Sequence, residues 1–343
     1  MIEIISDSEK YRAAWDKYVN ESSSAAISHL WGWKNVMEKG LGHKPIYLTA
    51  KDGGRIVGIL PMALVRTWWN TRYLISLPWI DYGGICADSA DVIESLNKRA
   101  VAIAREHHVA FVEYRSINSY EMDMPTRRDK VTFRLNLNPD FNVVWNGFDA
   151  KLRNQIRKAE KSGLTTELGG IELLPSFYKI FQWKMRDLGT PVWGYKFFES
   201  ILTEFPDSAK IILVKLDKLA IGGGLVLSFK KILYVPSAAS YNEHLKYCPN
   251  HALYWNVIKM GCEQGYEQFD FGRSTWNSPT FNFKKQWAGE PIQLNWQYML
   301  VGRKELPSIN PDNPKYKLFI KAWKKLPLFA ANYLGPKVIR NFP

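Results

Sequence analysis

The segment Phe269–Phe271 ends at a glycine and is followed at once by two polar side chains. Gly272 ends the apolar run, and Arg273 and Ser274 come next. Strand ends followed by glycine are where α/β folds expose side chains and backbone donors together. The sequence has no G-x-S-x-G motif to activate Ser274 as a nucleophile, so the pattern favours direct attack by a substrate amine over a covalent intermediate.

Two lysines follow a few residues later among aromatic side chains. Lys284 and Lys285 are bracketed by Phe283 and Trp287. Lysines beside aromatic rings suit a site that stabilises a developing negative charge away from water. The structural alternative is a basic edge strand in solvent that covers a hydrophobic rim.

The elements that position these motifs are predicted in the same order in both halves of the chain. Each half is expected to fold as a strand, two helices, three strands, a helix and a strand. Arg115-Ser116 ends the first series as Arg273-Ser274 ends the second, which predicts an ancient duplication of one module. The predicted strands cover residues 2–5, 45–50, 55–65, 73–77, 110–114, 132–137, 164–168, 211–216, 220–229, 232–239, 267–271 and 291–301. The first predicted helix runs from Ser6 or Ser8 to Tyr18, and the others cover 29–39, 91–107, 175–188, 195–205 and 251–264.

This order is similar to that of the GNAT acyltransferase module, in which the fourth and fifth strands splay apart and substrates enter the gap. Pro236 lies inside the predicted fourth strand of the second half, where it removes a hydrogen-bond donor and ends pairing with a neighbour. Asp270 and Arg273 lie at the end of the fifth strand. The predicted fold class is α/β with mixed sheets, built as two tandem GNAT-like modules.

Five segments between His29 and Trp296 carry a family resemblance: Lys151–Gly163, Leu188-Gly-Thr-Pro-Val192, Pro249-Asn250, FDFGRS…FNFKKQW and Asp81-Tyr-Gly-Gly84. Together they resemble the FemAB-related proteins, including the branch associated with exosortase/PEP-CTERM and exopolysaccharide systems. That family is built of tandem GNAT-like modules, and its best-understood members are cytoplasmic ligases. They move an amino acid from aminoacyl-tRNA onto the peptide of a peptidoglycan precursor.

The resemblance implies a set of site residues. Phe283 and Lys284 match the phenylalanine and lysine that flank the family's reaction site, which makes Lys284 the leading catalytic residue. Arg273 is expected to assist it, and Asp270 is the candidate base. This chain lacks the long helical arm of the peptidoglycan ligases, so donor and acceptor stay open. The predicted substrate-binding residues are Phe283, Lys285, Trp287, Ser274, Arg153, Arg157, Lys158, Asp81, Tyr82, Tyr241, Asn250, His29 and Trp33.

A basic helix is predicted between the two modules. Arg153, Arg157 and Lys161 recur four residues apart, with Lys158 beside them, while Leu152 belongs to an apolar stripe. A solvated basic face is the common explanation. The functional alternative is a phosphate clamp, because the planar guanidinium meets phosphate oxygens in pairs.

The loop before the predicted helix 251–264 indicates which class of acyl donor the protein can bind. Acetyl-CoA-dependent GNAT enzymes bind pyrophosphate with a glycine-rich loop at this place. Here the segment from Tyr241 to Asn250 has no glycine. The sequence therefore weakens the case for an acyl-CoA donor. A helix N-cap explains Asn250 better than a ligand-binding role does.

Composition narrows the class of partner. The net charge of +13 predicts attraction to phosphates, as in nucleic acid, nucleotide-sugars, coenzyme A or anionic lipid.

Three cysteines without paired spacing predict free thiols in a reducing compartment. The histidines do not cluster, so no metal is expected. His29 could contact the acceptor or cap a helix. No signal peptide or spanning segment is predicted, and a cytoplasmic location is expected.

The C-terminal tail combines lysines with an apolar stripe. From Lys315 to Pro343 there are seven basic and no acidic residues. The stripe of Phe319, Ala322, Trp323 and Leu326 predicts a helix that either docks on the protein or rests on anionic lipid at the inner face of the membrane.

The sequence thus predicts a first module at 1–140, a second at 141–302 and a basic tail at 303–343. The expected activity is acyl or aminoacyl transfer to an amine of a phosphate-bearing cell-envelope or exopolysaccharide precursor. The donor would be aminoacyl-tRNA or acyl-CoA, with no certain cofactor. The alternatives are an acyl-CoA-dependent N-acetyltransferase acting on a sugar or sugar-nucleotide, and a non-catalytic membrane-surface or RNA-binding adaptor.

Overall fold

The structure is a computed structural model that describes residues 2–6, 8–303, 305–306 and 314–341. The chain divides into two compact units. Unit 1 comprises Met1–Lys130, Gln293–Ile309 and Lys337–Pro343, and unit 2 comprises Val131–Ile292 and Asn310–Pro336. The chain first passes from unit 1 to unit 2 after Lys130, ten residues before the predicted module boundary at 140. The predicted tail, residues 303–343, is divided between the two units.

The strands and helices follow in chain order. The strands are β1 (Glu3–Ser6), β2 (Lys44–Asp52), β3 (Arg55–Arg66), β4 (Arg72–Ile75), β5 (Cys86–Ala87), β6 (Phe111–Ser116), β7 (Thr126–Arg127), β8 (Lys130–Thr132), β9 (Arg134–Asn136), β10 (Leu164–Gly169), β11 (Ala209–Leu216), β12 (Leu219–Phe229), β13 (Ile232–Ser240), β14 (Gln268–Asp270), β15 (Ser274–Thr275), β16 (Ile292–Gln293) and β17 (Asn295–Leu300). The helices are α1 (Arg12–Glu21), α2 (Trp33–Asn35), α3 (Ala90–Glu106), α4 (Phe141–Gly147), α5 (Ala150–Lys161), α6 (Leu174–Leu188), α7 (Tyr195–Glu204), α8 (Pro249–Glu263), α9 (Pro279–Ala288), α10 (Pro314–Lys324) and α11 (Leu328–Ile339).

Unit 1 is built on a mixed sheet with the strand order β1-β2-β3-β4-β6-β17-β7. Its neighbours are antiparallel except β4 and β6, which run parallel. Helix α3 has apolar residues at helical spacing, and Val92, Leu96 and Ala100 are buried in the same core cluster as strand residues such as Leu48 and Val112.

Unit 2 is built on a sheet with the order β10-β11-β12-β13-β14-β9. Only β13 and β14 pair in parallel. Helix α5 begins where the Asp149 carboxylate accepts a hydrogen bond from Leu152 N at 2.7 Å. Leu152 and Ile156 then enter a core cluster that also contains Leu253 and Ile258 of α8.

The two sheets confirm the predicted repeat. The series β1-α1-α2-β2-β3-β4-α3-β6 in unit 1 has the same order as β10-α6-α7-β11-β12-β13-α8-β14 in unit 2. The single parallel pair, β4 with β6 or β13 with β14, occupies the same place in both. The fold is therefore a tandem repeat of one α/β module.

One strand of each sheet comes from the other half of the sequence. Strand β9 was predicted to end the first module, but it pairs with β14 through Leu135 and Phe269. Strand β17 was predicted to end the second module, but it pairs with β6 through Tyr298 and Glu113. Local periodicity identified both strands and could not choose their partners, because pairing depends on contacts distant in sequence.

The tail contains a docked helix. Trp323 of α10 is buried, whereas Lys317, Lys321, Lys324 and Lys325 are exposed. The helix contacts the end of α6, where a Cβ on Gly189 would come within 2.6 Å of Ile320 Cγ2. Burial of Trp323 favours docking on the protein, which is one of the two alternatives predicted for this helix. None of the helices within the described residues has the length and apolar composition of a membrane span.

Candidate functional site

In unit 2 the parallel strands β13 and β14 separate after a short run of pairing. Ile232, Leu233 and Tyr234 pair with Gln268, Phe269 and Asp270, and the pairing ends there. Beyond that point β13 continues alongside β12 only, from Ser237 to Ser240. Pro236 lies two residues past the last pair, at the place predicted for it, and a proline has no N–H with which to continue a ladder. The hydrogen-bonded ladder between the two strands therefore ends at the carboxyl end of β14, and we call this break in the ladder the gap.

The Asp270 carboxylate lies at this gap and is fully buried. It accepts hydrogen bonds from Thr132 Oγ1 at 2.7 Å, from Arg134 Nε at 2.8 Å and from Gly272 N at 2.8 Å. These contacts fix the chain as it leaves β14, where Gly272 takes a φ of +71° that other residues rarely adopt. The geometry points to a positioning role for Asp270 and leaves it poorly placed for the predicted role of base.

Lys284 bonds to the turn that Asp270 holds. Its Nζ donates to Gly272 O at 2.8 Å and to Arg273 O at 2.9 Å, and the side chain is 8% exposed. The edge-strand alternative for this motif is wrong, because the motif forms helix α9, whose first turn is capped by Ser278 Oγ accepting from Phe281 N. The helical spacing of Phe281, Lys284 and Trp287 buries all three, while Lys285 points to solvent.

The other motif residues have different surroundings. Ser274 is buried, and its Oγ has no hydrogen-bond partner among the described atoms. Arg273 is half-buried beside it. Phe283 and Trp287 lie in one aromatic cluster, with ring centroids 6.1 Å apart. The structure thus brings Lys284, Arg273, Ser274, Phe283 and Trp287 to one side of unit 2.

His251 joins this cluster, and sequence reasoning missed it. Its ring lies 5.2 Å from Phe283 and stacks at 5.9 Å on Trp287. Its Nε2 is buried and has no hydrogen-bond partner among the described atoms. Burial lowers the pKa of His251 to about 4, so the imidazole is neutral at pH 7. Only its place directly after Asn250, in the first turn of α8, signalled it in the sequence.

The depressed pKa of His251 predicts an acid-labile unit 2. Because the unfolded chain takes up this proton near pH 6.5 and the folded chain only near pH 4, the stabilisation is complete above pH 6.5 and is lost as pH falls towards 4. We expect His251→Phe to recover about 1–3 kcal/mol of unfolding free energy at pH 4.5 relative to pH 7.5, measured by urea denaturation. His43 in unit 1, with a pKa also near 4, leaves part of the acid loss in place. His107→Gln is the control, and an equal gain there would contradict the assignment.

The start of α8 offers few donors to a pyrophosphate. Pro249 at the first helical position has no N–H, and the N–H groups of His251 and Ala252 both donate to Cys248 O. Asn250 uses its side-chain oxygen to accept from Ser240 Oγ at 2.7 Å. Tyr241, also predicted to bind substrate, is half-buried before the short 3₁₀ turn Asn242–Tyr247. This segment therefore lacks the glycines of a GNAT pyrophosphate loop, and the backbone N–H groups of His251 and Ala252 are already bonded within the chain.

The predicted basic helix is α5, and its cations differ in their contacts. Arg153 Nη1 donates to Phe148 O at 2.6 Å, at the end of α4, so this arginine caps a helix. Arg157 lies over the Trp145 ring at 5.3 Å and is exposed. Lys158 is exposed next to it. The exposed Arg157 and Lys158 can therefore contact a phosphate, whereas the guanidinium of Arg153 is already hydrogen-bonded to the end of α4.

The predicted residues of unit 1 form a separate group. His29 accepts from Ala26 N through Nδ1 at 3.0 Å and bonds Gly84 O through Nε2 at 3.0 Å, which supports the helix-cap alternative. Trp33 is fully buried and donates to Ile27 O, so it is a core residue. Asp81 and Tyr82 are buried where β4 and β6 part. Among the described residues, no cluster of three His, Cys, Asp or Glu side chains could hold a metal ion.

Comparison with known proteins identifies the fold. Residues 147–285 match the model of the family described as "Acetyltransferase (GNAT) domain". No curated protein matches the sequence. Among solved structures, FemX is similar with a TM-score of 0.67 and 14% identity over 93% of this chain and 100% of FemX. A tandem GNAT protein from the clavulanic acid biosynthesis pathway gives 0.55 and 11% over 89% of this chain and 100% of that one. L-PGS from Bacillus licheniformis gives 0.57 and 14%, covering 94% and 98%.

Proposed function

We propose that this chain, whose residues 147–285 match a GNAT acetyltransferase domain and whose fold is similar to that of FemX and of a tandem GNAT protein, is a FemAB-like acyltransferase. It would transfer an aminoacyl group to an amine of a phosphate-bearing cell-envelope or exopolysaccharide precursor. The observation that carries the proposal is the gap between β13 and β14, with the Lys284 ammonium bonded to the turn at its edge. A buried cation beside an open strand end supports stabilisation of an oxyanion.

The reaction is a direct aminolysis. The acceptor nitrogen attacks the carbonyl carbon of the donor ester, a C–N bond forms, and the C–O bond to the donor breaks. The amine proton is lost and the departing oxygen gains one, so the products are an amide and a hydroxyl. Lys284 and Arg273 stabilise the negative charge on the carbonyl oxygen, while Asp270 holds the turn that orients them.

The start of α8 favours an aminoacyl-tRNA donor. Coenzyme A is held in GNAT enzymes by backbone N–H groups that point at its pyrophosphate. In this chain Pro249 supplies none, and those of His251 and Ala252 are bonded to Cys248 O. An ester donor bound through its nucleotide portion elsewhere does not need them.

A second candidate is acyl-CoA-dependent N-acetyl transfer to a sugar or sugar-nucleotide. It is favoured by the match of residues 147–285 to an acetyltransferase family. A non-catalytic adaptor is less well supported, because a decayed site gives no reason to retain a buried lysine among aromatic rings.

A donor screen tests these alternatives. The purified protein is incubated with lipid-linked and nucleotide-linked amine acceptors and either radiolabelled aminoacyl-tRNA or radiolabelled acyl-CoA. We expect label transfer from aminoacyl-tRNA alone. Transfer from acyl-CoA alone would establish the second candidate, and transfer from neither pool would favour the adaptor.

The exposed cations of α5 are proposed to bind the phosphates of a substrate. We expect R157A/K158A to raise KM several-fold with little change in kcat, because a phosphate distant from the carbonyl contributes equally in ground and transition states. The slope of log KM against log salt should fall by about 2, one for each lost contact. The control is K196A/K218A, which removes the same charge from exposed positions of unit 2. Equal effects in both variants would make α5 a solvated face.

A further inference from the structure

The turn between β3 and β4 in unit 1 exposes two adjacent tryptophans. We call the segment from Thr67 to Thr71 the hairpin tip. Trp68 is 61% exposed and Trp69 is 71% exposed, although most aromatic residues of unit 1 are buried. Arg66, also exposed, stands at the base of the tip. Two large amphipathic rings and a cation thus project from one tight turn.

The hairpin tip is an ordered turn. Thr67 N donates to Thr71 O at 2.9 Å, and Thr71 N donates to Thr67 Oγ1 at 3.2 Å. The backbone N–H of Trp68 donates to Asn341 Oδ1 at 2.7 Å, and Asn341 is buried. Because these bonds fix the backbone, the turn itself directs the two side chains outward.

The size of the apolar surface selects the class of partner. At a full area of up to about 250 Å² per tryptophan, the two exposed fractions amount to roughly 330 Å². A specific protein interface needs about 800 Å² from each partner. Two indoles are enough, however, for a membrane–water interface, where tryptophan is the preferred anchor because one edge of the ring is polar and the rest is apolar.

Charge selects the kind of membrane. Arg66 lies next to the tip, and the chain carries a net charge of +13. Basic residues near a bilayer are attracted to anionic headgroups, and the attraction adds to the insertion of aromatic rings. We propose that the hairpin tip inserts Trp68 and Trp69 into the headgroup region of an anionic bilayer. This binding does not depend on the transfer reaction proposed above.

Vesicle co-sedimentation tests the proposal with the full chain. Wild-type protein should partition onto phosphatidylcholine vesicles containing phosphatidylglycerol and much less onto pure phosphatidylcholine. W68S/W69S should bind the anionic vesicles at least about tenfold more weakly, with an unchanged melting temperature. The matched control is W183S/W276S, which removes two partly exposed tryptophans of unit 2 and should bind like wild type.

Two outcomes would overturn the proposal. One is unchanged vesicle binding by W68S/W69S together with loss of binding in F329S/Y333S, which would place the lipid contact on α11, where both rings are exposed. The other is a wild-type oligomer on size exclusion that W68S/W69S converts to monomer, which would make the tip a contact between copies of this chain. Transfer to a water-soluble acceptor should be the same in W68S/W69S and wild type, so this test is separate from the donor screen.

Discussion

Replacing Lys284 by methionine is expected to lower kcat/KM by about 100-fold or more, equivalent to about 2.7 kcal/mol of transition-state stabilisation. The buried ammonium lies against Gly272 O and Arg273 O, at the edge of the gap between β13 and β14. Its removal takes away both the positive charge and the hydrogen bonds that fix this turn. Methionine keeps the length and apolar packing of the side chain, so the effect should appear mainly in kcat. Steady-state kinetics with the donor identified in the screen measure it.

Lys285→Met is the matched control for that variant. Lys285 is the next residue on α9 and is exposed, so it loses the same charge without touching the turn. We expect its kcat/KM to stay within about threefold of wild type, as for most exposed sites. Because K284M also removes two charge-assisted hydrogen bonds, the assay should run well below its melting temperature. Wild-type turnover in a folded K284M protein would exclude Lys284 from the reaction.

Replacing Asp270 by asparagine should mainly destabilise unit 2. The carboxylate is fully buried and accepts from Thr132, Arg134 and Gly272. Removing the carboxylate charge takes one partner from Arg134. Because Arg134 is partly exposed, water offsets part of this loss, and the cost is about 2–3 kcal/mol, below that of a fully buried pair. For a unit of this size that corresponds to a fall of about 10 °C in Tm, measured by calorimetry.

The same variant distinguishes a positioning residue from a base. Asp207→Asn, at an exposed position, is the control and should leave Tm unchanged. If Asp270 positions the turn, D270N should lose stability and keep the pH profile of kcat. The opposite result would identify Asp270 as the base. In that case D270N would have the Tm of wild type, a strongly lowered kcat, and a pH profile of kcat that has lost one of its two limbs.

The order of elements could be predicted from the sequence because it depends on local patterns. Alternating apolar residues and turn signals located the strands of both repeats, and Pro236 correctly marked the end of pairing between β13 and β14. Proline acts through a missing N–H on its own residue, so its effect needs no knowledge of the fold.

The features that were not predicted depend on tertiary contacts. The partners of β9 and β17 are set by strands far away in the sequence. The motif around Lys284 has no clear period of its own, and its helix is fixed by the cap at Ser278 and by burial of Phe281 and Trp287. His251 lies 32 residues before Phe283, and only folding brings the two rings together.

Strand β17 also has a consequence for synthesis of the protein. It lies between β6 and β7 in the sheet of unit 1, and the contact between Ser116 and Asn295 joins residues 179 positions apart. At about 5–20 residues per second, the ribosome needs roughly 10–40 s to deliver β17 after β6 has emerged. Throughout that interval β6 has an unpaired edge, which is a template for aggregation. The nascent chain therefore depends on rapid elongation or on chaperones that cover this edge, and a gene split between the repeats would yield two polypeptides that each lack a strand.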